Sequence, residues 1–150
     1  MNVIYLLGPK SPAKATEAVL KLAAMLADDN GTAVICRRKS PQHKRLAKEG
    51  HAPGFLRLGG ILDLLSPLVL ARVLNRLEGE IVLHAFSRDD AQTCVRAKSL
   101  SSSAKRIKIT ISANTSDKWG QLLRQIDSIT PVPDANDYIS LQSILHNYED

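Results

Sequence analysis

The stretch EIVLHAFSRDDAQTCVRAKSL, residues 80–100, predicts a strand, a polar turn and a helix. Its first five residues are mostly apolar and include two β-branched side chains, which is typical of a strand buried on both faces. Ser87 can cap the following helix, with acidic residues in the first turn. His84 then lies at the carboxyl end of the strand, where ligands bind in open α/β sheets. We therefore expect any binding site to centre on this turn.

The alternation of strand and helix continues in both directions from this stretch. We predict strands at residues 2–7, 32–37, 55–58, 80–84, 106–111 and 127–130. Helices are expected at residues 12–29, between Ser40 and Gly50, at 61–77 with a break or kink at Pro67, after Ser87, at 117–126 and at 138–148. This order predicts an α/β fold, a Rossmann-like three-layer sandwich with a parallel sheet of about six strands. Residues 1–150 then form one domain, with strands one and four adjacent at its switch point.

Composition and charge limit the classes of function. Hydrophobic residues make up 44% of the chain and aromatic residues only 4%. The first value excludes wholesale disorder, and the second argues against the aromatic platforms that stack nucleic-acid bases, so we expect no nucleic-acid partner. The net charge of +5 suits an anionic partner, such as a nucleotide or a phospholipid surface, or solubility alone.

The cysteines and the apolar runs indicate the compartment. Cys36 and Cys94 fall in a predicted strand and a predicted helix, and neither has a CxxC partner, so both are expected to be reduced and buried. The first apolar run is short and is interrupted by polar residues, unlike a signal peptide. No run approaches the ~18 apolar residues of a membrane span. We expect a cytoplasmic protein, soluble or peripheral on the inner membrane face.

The turn after the first strand, GPKSPA from Gly8 to Ala13, is the first candidate site. A dinucleotide fingerprint would need two further glycines there, and a Walker loop would need a GK[ST] ending. Neither pattern is present. Gly8 and Lys10 still precede a helix N-terminus, which is an anion site or an ordinary loop.

A basic run follows the second strand and is the second candidate. An arginine at this place in a dinucleotide-binding fold can hold an NADP 2′-phosphate. A basic helix can instead lie on anionic lipid, or simply be solvated. The residues are Arg37, Arg38, Lys39, Lys44, Arg45 and Lys48.

The turn of the opening stretch offers two further candidates. Asp89 and Asp90 are best explained as first-turn acids that complement the helix dipole, because neighbouring helical residues point in different directions. His84 with Ser87 is either a ligand-binding or basic pair, or His84 is a hydrogen-bonded core residue. No G-x-S-x-G, HExxH or zinc-type spacing occurs, so the sequence predicts no metal site.

Three stretches resemble the N-terminal domain of the retaining, family-four type of GT-B glycosyltransferase. The first is LADDNGTAVI (residues 26–35), which resembles the passage into the family's second strand. The second is EIVLHAF (residues 80–86), similar to the family's D-hydrophobic-hydrophobic-H-x-H strand. The third is KITISAN (residues 108–114), similar to the hydrophobic-T-x-H strand. A weaker echo of the D-x-I-hydrophobic-x-V-S strand occurs at residues 127–132.

The resemblance implies transfer of a sugar from a nucleotide-sugar to a polysaccharide or lipid-linked acceptor, without a cofactor. It implies a catalytic His84 and substrate contacts from Gly8, Lys10, Ser87 and Asn114. The departures are Gly8 in place of a glycine pair, Phe86 in place of the usual histidine, and no histidine at residues 113–114. The family's C-terminal nucleotide-sugar domain is absent from these 150 residues, so we expect a second Rossmann domain or subunit to complete the enzyme. The alternatives are an NADP- or nucleotide-binding Rossmann domain and a non-catalytic interaction module.

Overall fold

A computed structural model describes residues 1–26, 31–60, 62–113 and 120–149. Within these ranges the strands are β1 (Asn2–Leu7), β2 (Gly31–Cys36), β3 (Gly54–Phe55), β4 (Ile81–Ala85), β5 (Ile107–Ser112) and β6 (Ser128–Thr130). The helices are α1 (Ala13–Leu26), α2 (Pro41–Lys48), α3 (Leu65–Leu74), α4 (Arg88–Leu100) and α5 (Tyr138–Glu149). Short 3-10 turns occupy Ala104–Arg106 and Gly120–Gln125.

The six strands form one sheet in the order β3-β2-β1-β4-β5-β6, and every pair is parallel. Asn2 of β1 pairs with Gly31 on one side and with Ile81 on the other. Strands one and four are therefore adjacent, as predicted. The strand order reverses direction between them, which is the switch point of a doubly wound Rossmann-like fold.

Helices cover both faces of the sheet. On one face, Tyr5 of β1 belongs to an apolar cluster with Leu22 of α1 and with residues of α5. On the other face, Leu6 belongs to a cluster with Leu70 of α3 and with residues of α4. β1 and β4 are buried almost throughout because both of their faces are covered. The three-layer sandwich predicted from the sequence is confirmed.

Two serine caps set the starts of helices at the carboxyl edge of the sheet. Ser40 Oγ accepts a hydrogen bond from the His43 backbone N–H at the start of α2. Ser87 Oγ accepts one from the Asp90 N–H at the start of α4. Both residues have the extended backbone of an N-cap, as predicted.

The helix predicted over residues 61–77 is present but shorter, and the expected break at Pro67 does not occur. α3 begins at Leu65, so Pro67 lies in its first turn, where a backbone N–H has no partner within the helix, and α3 runs on past it to Leu74. The described part of the helix predicted at residues 117–126 is a 3-10 turn instead. Residues 27–30, at the end of the predicted first helix, lie outside the described ranges.

Candidate functional site

A cleft of about 460 Å³ opens at the carboxyl ends of neighbouring strands. Its walls come from the loops that follow β1, β2, β3 and β4, which meet at one edge because the strands are parallel. This is the position at which open α/β sheets bind ligands. The residues that line it are Pro9, Lys10, Arg37, Leu58, Gly59, Gly60, Leu62, Ser87, Arg88, Asp89, Asp90 and Gln92.

Asp90 ties the two central walls of the cleft together. Its Oδ2 accepts hydrogen bonds from the Gly8 N–H at 3.0 Å, from Ser11 Oγ at 2.9 Å and from Ser87 Oγ at 2.6 Å. The loop after β1 is thus bound to the turn after β4 through one buried carboxylate. Gly8 is required by this contact, since a Cβ there would lie 2.0 Å from Asp90 Oδ1.

The Asp90 carboxylate changes the expected chemistry of the Gly8 loop. The Gly8 N–H, which would face a phosphate, already donates to Asp90. Pro9 and Pro12 have no N–H to offer. Burial raises the pKa of Asp90, against the smaller lowering effect of hydrogen bonds from Ser87, Ser11 and Gly8. The anion site expected at Gly8 is therefore occupied by the protein's own carboxyl group, and this geometry does not favour a dinucleotide pyrophosphate there.

Asp89, the residue before Asp90, faces the cleft. Its Oδ2 lies 2.7 Å from Lys10 Nζ, and a Cβ on Gly60 would lie 3.1 Å from the same oxygen. Arg37 and Arg88 add two further cations to the lining. The cleft therefore combines hydrogen-bond acceptors for hydroxyl groups with cations for a phosphate or carboxylate.

Asp63 shapes the third wall and was not singled out from the sequence. Its carboxylate accepts backbone hydrogen bonds from Gly59, Leu65 and Ser66, which fixes the Gly59–Gly60 loop against the start of α3. Burial raises its pKa, but these bonds and one from the Ser66 hydroxyl outweigh burial and lower the pKa to about 2. In the sequence, Asp63 stands two residues before the first helical residue, Leu65, and inside the helix predicted at residues 61–77.

His84 lies beneath α5 rather than in the cleft. It is fully buried, one ring nitrogen bonds to the Tyr148 hydroxyl, and Nε2 lies 2.8 Å from Ser112 Oγ. The Phe86 ring stacks on it with centroids 4.4 Å apart. Burial lowers the pKa of His84 to about 3, so the ring is neutral. Of the two alternatives given for His84, the structure therefore matches the hydrogen-bonded core residue. Neither ring nitrogen is free for a substrate.

The predicted basic group divides among several surroundings. Arg37 lines the cleft, and the Arg38 guanidinium lies over the Phe55 ring at 4.8 Å. Arg45 lies 3.3 Å from a carboxylate oxygen of Glu49 and 3.8 Å from one of Glu17. Three members are exposed and do not line the cleft, namely Lys39, Lys44 and Lys48. The group is therefore not one site.

The remaining predicted site residues are placed as follows. Lys10 and Ser87 line the cleft, while Gly8 lies behind its wall against Asp90. Asn114 lies outside the described residues. Among the described residues, no group of three or more His, Cys, Asp or Glu side chains could hold a metal ion.

No protein-family model matches the chain, and no curated protein matches its sequence. A solved structure does match its fold. MurG from Acinetobacter baumannii aligns with a TM-score of 0.59 at 9% sequence identity, over 87% of this chain and 40% of the MurG chain. The chain thus spans less than half the length of that protein. The likeness shows the fold alone, that of a Rossmann-like domain similar to part of MurG, and the resemblance to family four stays a prediction.

Proposed function

We propose that this domain is the acceptor-side half of a GT-B-type glycosyltransferase and that its cleft binds the sugar acceptor. The observation that carries the proposal is the coincidence of a GT-B-like fold with an open cleft, lined in part by charged and polar residues, at the switch point of the sheet. The nucleotide-sugar would be held by a second Rossmann domain or subunit, as the sequence resemblance implies.

The chemistry of the cleft supports an acceptor with hydroxyl groups and a negative charge. Asp89 can accept hydrogen bonds from sugar hydroxyls, and Gln92 can both donate and accept. Arg37 and Arg88 can hold a phosphate or carboxylate on the acceptor. His84 has no part in this proposal, because it is buried under α5.

Binding by the full chain tests the proposal. Calorimetric titration with neutral, phosphorylated and carboxylated oligosaccharides should give heat with the anionic members. Arg88→Gln should weaken that binding about tenfold or more, since hydrogen bonds to charged groups contribute roughly 1.5–3 kcal/mol. Lys48→Gln, which also changes one charge but lies outside the cleft, should leave binding unchanged.

The competing function is binding of NADP or another nucleotide through Arg37 and Arg38. It would require NADPH to bind more tightly than any sugar, with the affinity lost in Arg38→Ala. That result would contradict the acceptor proposal. The engaged N–H of Gly8 is the reason that we expect weak or no NADPH binding instead.

Catalysis is expected to need the second domain. Stabilising an oxocarbenium-like centre and a nucleotide leaving group requires preorganised groups around both. Residues 1–150 supply one wall, and Phe86, in place of the usual histidine of the resemblance, cannot donate a hydrogen bond. The purified chain should therefore not turn over a panel of nucleotide-sugars with candidate acceptors. Turnover above the uncatalysed rate that is lost in His84→Ala would contradict this expectation.

A further inference from the structure

Helix α3 presents an apolar surface to solvent. Six large apolar residues of α3 and the loop before it are between 41% and 88% exposed. We call them the α3 surface: Leu62, Leu64, Leu65, Leu68, Val69 and Val73. An exposed group of this kind marks an interaction site more often than scattered single residues do.

The fold does not need these side chains. The inward face of α3 already holds the helix on the sheet through Leu70, Ala71 and Leu74, all of which are buried in the core. The start of the helix is fixed separately by Asp63. The outward leucines and valines therefore contribute little to folding, and their exposure is unexplained by packing within the described residues.

Arginines surround the α3 surface. Arg72 and Arg76 are exposed on α3 and just beyond its end, and the sequence has no acidic residue from 64 to 77. A groove of about 440 Å³ beside Leu65 and Val69 is lined by three more arginines, Arg37, Arg38 and Arg57, with Phe55. The apolar area is thus bordered by five cations.

We propose that the α3 surface is a docking surface for an anionic lipid bilayer, with α3 lying in the plane of the interface. Apolar side chains would enter the acyl boundary while arginines keep their guanidinium groups at the phosphates. No helix in the described part of the chain is long and apolar enough to cross a membrane.

Charge favours the bilayer over a second copy of the chain. Two copies joined through this surface would bring ten arginines together at one interface, five from each chain, with no acidic residue from α3 to pair with them. An anionic bilayer instead attracts each of these residues. The bilayer would also lie near the cleft, because Arg37 lines both the cleft and the groove.

The structure favours α3 as the lipid contact over α2, the helix that the sequence predicts for this role. Arg45 of α2 is already near two carboxylates. Lys44 and Lys48 are exposed, but the apolar residue of α2 that could accompany them, Leu46, is fully buried. A charged helix face without apolar residues binds lipid by screened attraction alone.

Vesicle co-sedimentation of the full chain tests the proposal. Binding to phosphatidylcholine mixed with phosphatidylglycerol should exceed binding to phosphatidylcholine alone. Arg72→Gln/Arg76→Gln should lower the partition coefficient roughly tenfold or more, at about 1 kcal/mol for each basic residue. The matched control Lys44→Gln/Lys48→Gln removes the same charge from α2 and should have a much smaller effect.

The apolar part has its own variants. Leu64→Ser/Leu65→Ser/Leu68→Ser should reduce vesicle binding at least as much as Arg72→Gln/Arg76→Gln does, and circular dichroism should confirm that the fold is kept. Tyr138→Ser/Ile139→Ser removes exposed apolar side chains at the start of α5 and should leave vesicle binding unchanged. Equal losses in these two variants would overturn the proposal.

A fluorescent label then locates the contact directly. Both native cysteines, Cys36 and Cys94, are fully buried, so Leu68→Cys provides one accessible thiol. An environment-sensitive dye at residue 68 should shift to shorter wavelength on anionic vesicles, whereas the same dye on Lys48→Cys should not. The proposal fails if only the residue 48 dye shifts. It also fails if the residue 68 dye shifts with rising protein concentration and not with lipid, because that result would show self-association.

Discussion

His84 and Asp90 lie six residues apart at the carboxyl end of β4, and both are buried polar residues, but they stabilise different parts of the molecule. His84 joins Tyr148 of α5 and Ser112 of β5 beneath the helix layer. Asp90 joins Gly8 and Ser11 of the first loop to the turn after β4. The histidine side is closed, whereas the aspartate side forms the wall of an open cleft.

The difference teaches that a polar residue at a strand's carboxyl end need not be a ligand. The His84 network is satisfied within the protein and continues through Ser112 Oγ to Thr130 Oγ1 at 2.7 Å. Such a network fixes α5 on the sheet. Asp90 also bonds only to protein, yet it sets the distance between the two loops that a ligand would touch. Substitutions that disrupt the His84 network should therefore lower the stability of the fold. Substitutions at Asp90 should also change the shape of the cleft.

The largest expected effect is on the Asp90 side. Gly8→Ala should destabilise the protein by about 3 kcal/mol, because the new Cβ displaces Asp90 from its hydrogen bonds. Asp90→Ala should cost a similar amount, since it leaves the Gly8 N–H and the Ser11 and Ser87 hydroxyls without their acceptor. Urea unfolding measures both.

The double variant Gly8→Ala/Asp90→Ala makes this prediction specific. The three atoms nearest to that Cβ all belong to the Asp90 carboxylate, so the double variant should be about as stable as Asp90→Ala alone. Simple addition of the two single losses would mean that Gly8 is required for a reason other than Asp90.

On the His84 side, Tyr148→Phe should cost about 1–3 kcal/mol, because a buried ring nitrogen of His84 loses its partner. The loss should be confined to folding stability and should leave acceptor binding in the cleft unchanged. Calorimetric titration of the folded variant provides the check. Weaker acceptor binding in Tyr148→Phe would show that the two sides are coupled.

Acid should distinguish the two sides further. The pKa of His84 falls from about 6.5 in the unfolded chain to about 3 in the folded protein. Between pH 6.5 and pH 3 the unfolded chain therefore binds a proton on His84 that the folded protein does not. As the pH falls through this range, the free energy of unfolding should decrease by up to about 1.4 kcal/mol per pH unit. His84→Phe should flatten this slope, while the exposed His51→Gln should keep it.

Asp90 acts with the opposite sign. Because its pKa is raised in the folded protein, it contributes stability at low pH that is lost as the pH rises through the folded pKa.

The smallest effect belongs to the salt bridge across the cleft. The Lys10 side chain is 74% exposed, so its pair with Asp89 is screened by solvent. Lys10→Met should change the free energy of unfolding by less than about 1 kcal/mol. A larger change would mean that the mouth of the cleft, and not only its Asp90 wall, contributes to folding.

The sequence predicted the parts of the fold that depend on local pattern. The alternation of elements predicted a parallel sheet with β1 beside β4, and Ser40 and Ser87 cap the helices as predicted. The role of Asp90 could not be predicted in this way, because Gly8 lies 82 residues away in the sequence and their contact exists only after β1 pairs with β4. Its position in the first turn of a helix was enough to explain an acidic residue there, and the sequence pattern does not show that Asp90 is buried.

Two predictions, the start of the third helix and the catalytic role of His84, failed for different reasons. Apolar residues continue through residues 61–77, so the pattern did not mark the loop that Asp63 holds. His84 was assigned a catalytic role by resemblance, but α5 covers it, and α5 comes more than fifty residues later in the chain. Periodicity locates a strand's end without showing what covers it.

The position of β1 in the middle of the sheet has a consequence for synthesis. β1 can pair with β2 as soon as residues 31–36 have left the ribosome, but its other neighbour, β4, begins at Ile81. At about 5–20 residues per second, the apolar edge of β1 waits on the order of 4–16 s for its partner. A nascent chain halted before β4 would carry a half-sheet with one unpaired hydrophobic edge, which is a template for aggregation and a binding site for chaperones.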